Sequence, residues 1–102
     1  MELIAEYRAE IISNQSVEDD IIERLEENIP NIQYTILNDV HGKGLKTRKM
    51  GSAAWPEQNF ILYAYVDAEA ARKIYAVIAE VKKKFPKEGI SLFFTRCAEI
   101  ED

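Results

Sequence analysis

Apolar and polar residues alternate in four stretches of the chain and recur at helical spacing in two. From Leu3 to Ile12, Leu3, Ala5, Tyr7, Ala9 and Ile11 share one face, and Glu2, Glu6, Arg8 and Glu10 dominate elsewhere. That period of two predicts a strand, which Ser13-Asn14-Gln15 ends. Ser16 then stands as a helix N-cap, with Glu18, Asp19 and Asp20 at the positive end of the helix dipole. Ile21, Ile22, Leu25 and Ile29 recur as one stripe. Pro30 stops the helix, because the residue before a proline is pushed out of the α region. Asn31 to Val40 predicts a second strand, with Ile32, Tyr34, Ile36 and Val40 on one face. Phe60 to Val66 is a third, apolar on both faces: Phe60, Leu62, Ala64 and Val66 against Ile61, Tyr63 and Tyr65. Such a strand is central, or its second face meets another subunit. Asp67 caps a second helix whose stripe is Ala71, Ile74, Ile78, Val81 and Phe85, with Lys82, Lys83 and Lys84 at its negative end. Pro86 and Gly89 close it. Ile90 to Thr95 alternates as a fourth strand, and Ala98 to Asp102 reads as a short acidic tail.

Strand, helix, strand, long loop, strand, helix, strand is the order of two interleaved right-handed βαβ units. The expected fold is α+β: a ferredoxin-like βαββαβ domain over residues 1–102, an antiparallel sheet with both helices on one face. The other face would be bare in a monomer. Ala5, Tyr7, Ile61, Tyr63, Tyr65 and Phe93 are the residues expected to cover it, and self-association is the simplest cover.

Composition narrows the function. The chain has 102 residues, 47% hydrophobic and 30% charged, which is the make-up of a folded domain able to bury a core. A formal net charge of -5 argues against general nucleic-acid binding. One cysteine, Cys97, allows no internal disulfide and no zinc-type cysteine spacing, so a reducing, cytoplasmic setting is expected. The N-terminus lacks a signal-peptide pattern, and no run approaches the roughly 20 apolar residues of a membrane span, so direct membrane insertion is not expected.

Charge is also unevenly placed. The long loop, about 41–59, contains Lys43, Lys46, Arg48 and Lys49 and no acid before Pro56, while the remainder of the chain is acidic. Gly42 and Gly44 permit close backbone approach at its start. Pro56 restricts Trp55, which is held to pack at a subunit junction or stack on a partner, and Asn59 turns the chain into the next strand. A basic, glycine-punctuated loop on an acidic body is a candidate element for recognising an anion or a partner. His41, Cys97 and a carboxylate such as Asp39 are weak candidates for a metal site formed across a subunit interface, since no ligand pair stands at i, i+2 or i, i+4. No nucleophile–base pair is recognisable, so the chain is not expected to be an enzyme.

The segment Asp39-Val40-His41-Gly42-Lys43-Gly44, placed at the end of the second strand, resembles the acid-Val-x-Gly-x-Gly entry into the long loop of the PII signalling-protein family. Gly89-Ile90-Ser91-Leu92-Phe93-Phe94 is similar to that family's turn into the fourth strand. Gly51 to Asn59 looks like its divergent, short-loop members. The resemblance implies a homotrimer of nitrogen-regulatory type, with an adenine nucleotide bound in clefts between subunits and the loop docking onto a target, a membrane transporter or an enzyme. Gly42, Lys43, Gly44, Lys46, Arg48, Lys49 and Gly89 would form the ligand site, and Trp55 and Asn59 the partner-facing part of the loop. By this resemblance Ile90 stands where the family has a phosphate-binding lysine, and the family's arginines fall on Ala98 and Glu101 or beyond the last residue of the sequence. Two alternatives share the fold: a metal-responsive protein, and a small ferredoxin-like enzyme.

Overall fold

Alternation on the first strand runs longer than its apolar residues alone suggest. In the computed structural model, which describes residues 1–42 and 57–101 (Glu57 by its backbone only), the first strand β1 spans Glu2–Asn14. It is followed by a short 3-10 turn, Gln15–Val17, and helix α1, Glu18–Asn28. Strands β2 (Thr35–Gly42) and β3 (Glu57–Val66) pair antiparallel, helix α2 spans Ala68–Lys84, and β4 spans Ile90–Glu101. The sheet has the order β2-β3-β1-β4, with all neighbours antiparallel. This is the ferredoxin-like arrangement expected from the order of elements.

The core lies between one face of the sheet and the two helices. Ala9 and Ile11 from β1 and Phe60, Leu62 and Ala64 from β3 meet Ile21 and Leu25 of α1 and Ile74, Ile78 and Val81 of α2, all buried. Each large side chain so buried stabilises the fold by about 1.5–3 kcal/mol. The α2 cap is as expected: Asp67 accepts a hydrogen bond from the Ala70 N–H at 2.8 Å. Between the helices, Arg24 pairs with Glu80 and Lys84 with Asp20, at 3.4 and 3.6 Å. Both pairs are solvated and add little.

The structure corrects five expectations. Ser16 does not cap α1. Asn14 caps the 3-10 turn by accepting from the Ser16 N–H at 2.8 Å, and α1 begins after Val17 with no side-chain cap. The second strand starts at Thr35, not Asn31: Asn31 takes a left-handed φ of 66° in the turn that follows α1. Val40 leaves the face of Ile36: an irregularity between Leu37 and Val40, with Asp39 at φ 59°, inverts the alternation, so that Ile36 opposes the core residue Leu62 whereas Val40 opposes Asn59. Ala5 and Tyr7 do not cover the open face of the sheet. They share the helix side with Ala9, and Tyr7 packs against the core. Finally, the acidic tail is strand: β4 pairs with β1 as far as Glu2↔Glu101.

The open face is therefore built from Arg8, Glu10 and Ile12 of β1, Ile61, Tyr63 and Tyr65 of β3, Leu37 of β2 and Phe93 of β4. Tyr65 and Phe93 are exposed there. Arg8 lies over the Tyr63 ring, 5.4 Å from its centroid, and 3.6 Å from Glu10. Its Nε is buried with no hydrogen-bond partner among the described residues.

Candidate ligand site at the stem of the β2–β3 connection

The ends of β2 and β3 form a paired stem, Val40↔Asn59, His41↔Gln58 and Gly42↔Glu57. Residues assigned from sequence to the ends of the long loop, 41–42 and 57–59, are thus strand, and 43–56 connect the two. Lys43, Gly44, Lys46, Arg48, Lys49 and Trp55 lie outside the described residues. Register places the remaining site residues at one end of the sheet. Asn59 opposes both Val40 and Asn14, and Ser13 opposes Ile90, which follows Gly89. Val40, Asn59, Asn14 and Gly89 therefore stand at one level across four strands, a span of about 14 Å.

Gly42 and Asn59 are in close contact. A Cβ on Gly42 would collide with the Asn59 amide nitrogen, so the Asn59 side chain would have to shift to admit it. Asn59 is 91% buried, and its Oδ1 has no hydrogen-bond partner among the described residues. A buried carbonyl oxygen without a donor is costly. Gly89 is different: nothing lies within 4 Å of a Cβ built on it, so neither space nor a left-handed φ requires glycine.

The 3-10 turn braces the stem, a feature not read from the sequence. Gln15 donates to Asp39 at 3.0 Å, and Asn38 donates to Glu18 at 2.8 Å, so the two residues of the β2 irregularity are tied to the 3-10 turn and to the first residue of α1. Ser16 Oγ donates to Glu88 Oε1 at 2.7 Å, which joins the same turn to the segment before Gly89. The partners are polar residues scattered over 72 positions of sequence; nothing in their local spacing marks them. At this end the described carboxylates Glu18, Asp39 and Glu88 all accept hydrogen bonds. Ile90, the first residue of β4, is buried in the core.

His41 and Cys97 are not brought together. His41 opposes Gln58 at the stem, and Cys97 opposes Glu6 toward the far end of β1, about nine strand residues or 30 Å away. No group of three potential metal ligands occurs among the described residues. Cys97 instead lines a cavity of about 690 Å³ on the open face, with Glu6, Tyr63, Tyr65 and Glu99. Beside it, Tyr34 donates to Glu26 at 2.7 Å. That bond, then burial and the Glu26 charge, hold the Tyr34 phenol above the ordinary tyrosine range.

The fold is that of the PII-like signalling proteins. It is shared with TTHA0516, a structure assigned to those proteins from Thermus thermophilus, at 23% identity and TM-score 0.70 over 98% of this chain and 94% of that one. It is shared with CPII, a nitrogen regulatory PII-like protein of Thiomonas intermedia solved with ADP, AMP and bicarbonate, at 16% identity and TM-score 0.76 over 99% of both chains. A DUF3240 family protein from Shewanella baltica matches at 14% identity and TM-score 0.62, over 95% and 92%. No family model and no curated protein matches the sequence. No helix among the described residues is long and apolar enough to cross a membrane.

Proposed function

We propose that this chain is a PII-like regulatory protein, a homotrimer that binds an adenine nucleotide or a similar anion in clefts between subunits and presents residues 43–56 to a target protein. The observation that carries this reading is the match along nearly the whole chain to CPII, which was solved with ADP, AMP and bicarbonate. Two features of the stem support it. The orphaned Asn59 Oδ1 would accept from an N–H or O–H of the ligand, and Gly42 lets the Asn59 side chain lie close against the stem. The described carboxylates at this end cannot neutralise phosphate. Lys43, Lys46, Arg48 and Lys49 would therefore supply the charge that Ile90 and Glu101 do not. The bare sheet face, with Arg8, Tyr65 and Phe93, gives the copies a surface to share. The protein acts in the cytoplasm by binding, not catalysis, on a membrane transporter or an enzyme.

Calorimetric titration with ADP, AMP and ATP tests this. Saturable heat that falls at least tenfold in affinity when Lys43, Lys46, Arg48 and Lys49 are all changed to Ala supports the reading; absence of heat with all three nucleotides overturns it. In the metal-responsive alternative His41 and Cys97 would have to come from different subunits, since within one chain they stand at opposite ends of the sheet.

A further inference from the structure

The open face changes character where the sheet narrows to two strands. β3 pairs with β1 only from Tyr7↔Val66 onward, whereas β4 continues along β1 to Glu2↔Glu101. Alternation places Glu2 and Glu6 of β1 and Cys97, Glu99 and Glu101 of β4 on the open side of this extension. Residues 2–6 and 97–101 contain no Lys or Arg. Neither Glu6 nor Glu99 is in an ion pair among the described residues.

These two acids and Cys97 wall the cavity of about 690 Å³ together with Tyr34, Tyr63 and Tyr65. Small-molecule sites are commonly about 300–1,000 Å³ in volume. No Lys, Arg or His is among the lining residues. An anion entering here meets Glu6 and Glu99, so the class of ligand assigned to the stem is excluded. A purely apolar guest would strip water from both carboxylates without replacing it. A positive charge is attracted by the carboxylates and by the negative face of a tyrosine ring. The open face already contains one such contact: Arg8 lies over Tyr63, 5.4 Å from the ring centroid, and Glu10 meets its charge at 3.6 Å. Arg8 is committed to those two partners and does not line the cavity. Tyr65, 59% exposed, carries no cation over its ring among the described residues. A bare metal ion fits less well, because no group of three potential metal ligands occurs among the described residues. An organic ammonium ion needs fewer charged ligands and can use the rings.

We propose that this cavity binds a small organic ammonium ion, with Glu6 and Glu99 meeting its charge and the Tyr65 ring its methyl or methylene groups. The site is separate from the stem: it begins at Thr35 and Tyr63 and extends away from Asn59 along β1 and β4. It takes the opposite charge and does not rest on the nucleotide reading.

Cys97 is the single thiol of the chain and lines the cavity, so it reports occupancy. Its alkylation by iodoacetamide, a neutral reagent, is followed by mass spectrometry on the full chain in its own association state. The additions are choline chloride, an equal concentration of sodium chloride, and the uncharged analogue of choline in which carbon replaces nitrogen. The expected result is that choline slows the reaction saturably, by about fivefold, while salt and the analogue leave it unchanged. Glu6→Gln and Glu99→Gln should each raise the choline concentration required by about fivefold, and the double substitution should remove protection. The rate with choline divided by the rate without it cancels any effect of a substitution on the thiol itself. No slowing by choline, equal slowing by the analogue, protection that survives the double substitution, or a Cys97 that does not react in the folded protein would overturn the proposal. Nucleotide titration of the doubly substituted protein should match the parent, which keeps this site distinguishable from the stem.

Discussion

Replacing Gly42 with alanine is the sharpest local test of the stem geometry. In a strand, Gly→Ala normally gains about 0.5–1 kcal/mol from reduced backbone freedom. Here the added Cβ would collide with the Asn59 amide nitrogen, and Asn59 is itself buried, so it has little room to yield. Overpacking of this kind costs about 1–3 kcal/mol. The collision wins, and Gly42→Ala should be destabilised by about 1–2 kcal/mol. With a urea m-value of about 1–3 kcal/mol/M, the midpoint should fall by about 0.3–2 M. The partner substitution decides the cause. In an Asn59→Ala background the obstacle is gone, and the same Gly42→Ala change should become neutral or stabilising. The double-mutant cycle should then show a coupling of about 1–3 kcal/mol. All four proteins must be unfolded at one chain concentration, because self-association adds to apparent stability. Additive effects, or a Gly42→Ala protein as stable as the parent, would refute the close approach of Gly42 and Asn59.

Gly89→Ala meets nothing within 4 Å and should leave the urea midpoint unchanged or raise stability by about 0.4–1 kcal/mol; a loss above that size would mean the turn needs glycine after all. Asp67→Ala removes the acceptor for the Ala70 N–H and should cost about 1 kcal/mol, seen as a lower thermal midpoint; no change would show the cap to be idle. Tyr34 has a folded pKa raised by its bond to Glu26. The stabilisation it brings is therefore fully present below the ordinary tyrosine value of about 10, and is lost as pH rises through the higher folded value. Tyr34→Phe should flatten that alkaline decline in stability-versus-pH measurements, and an unchanged slope would exclude Tyr34 as its source.

Much of the architecture is legible because the controlling signals are local. The double-sided apolar run from Phe60 to Val66, the stop at Pro30 and the cap at Asp67 each act within a few residues, and all three hold. The misreadings are long-range. Val40 changes face because of Asp39, whose left-handed backbone is braced by Gln15 across 24 positions. Ser16 reads as a local cap, yet its hydroxyl reaches Glu88. The end of β4 reads as a solvated tail, because its acids alternate onto one face only when β1 supplies the register. The stem is legible as Gly42 and Asn59 separately, but their contact depends on strand pairing, and the brace from the 3-10 turn depends on residues with no local pattern.

Native mass spectrometry with excess ADP bears most directly on the central claim, since it counts chains and ligands in one particle. The account predicts a particle of three 11.7 kDa chains carrying up to three nucleotides, with occupancy lost when Lys43, Lys46, Arg48 and Lys49 are changed to Ala. A single chain, or three chains that remain bare at saturating ADP, would contradict it.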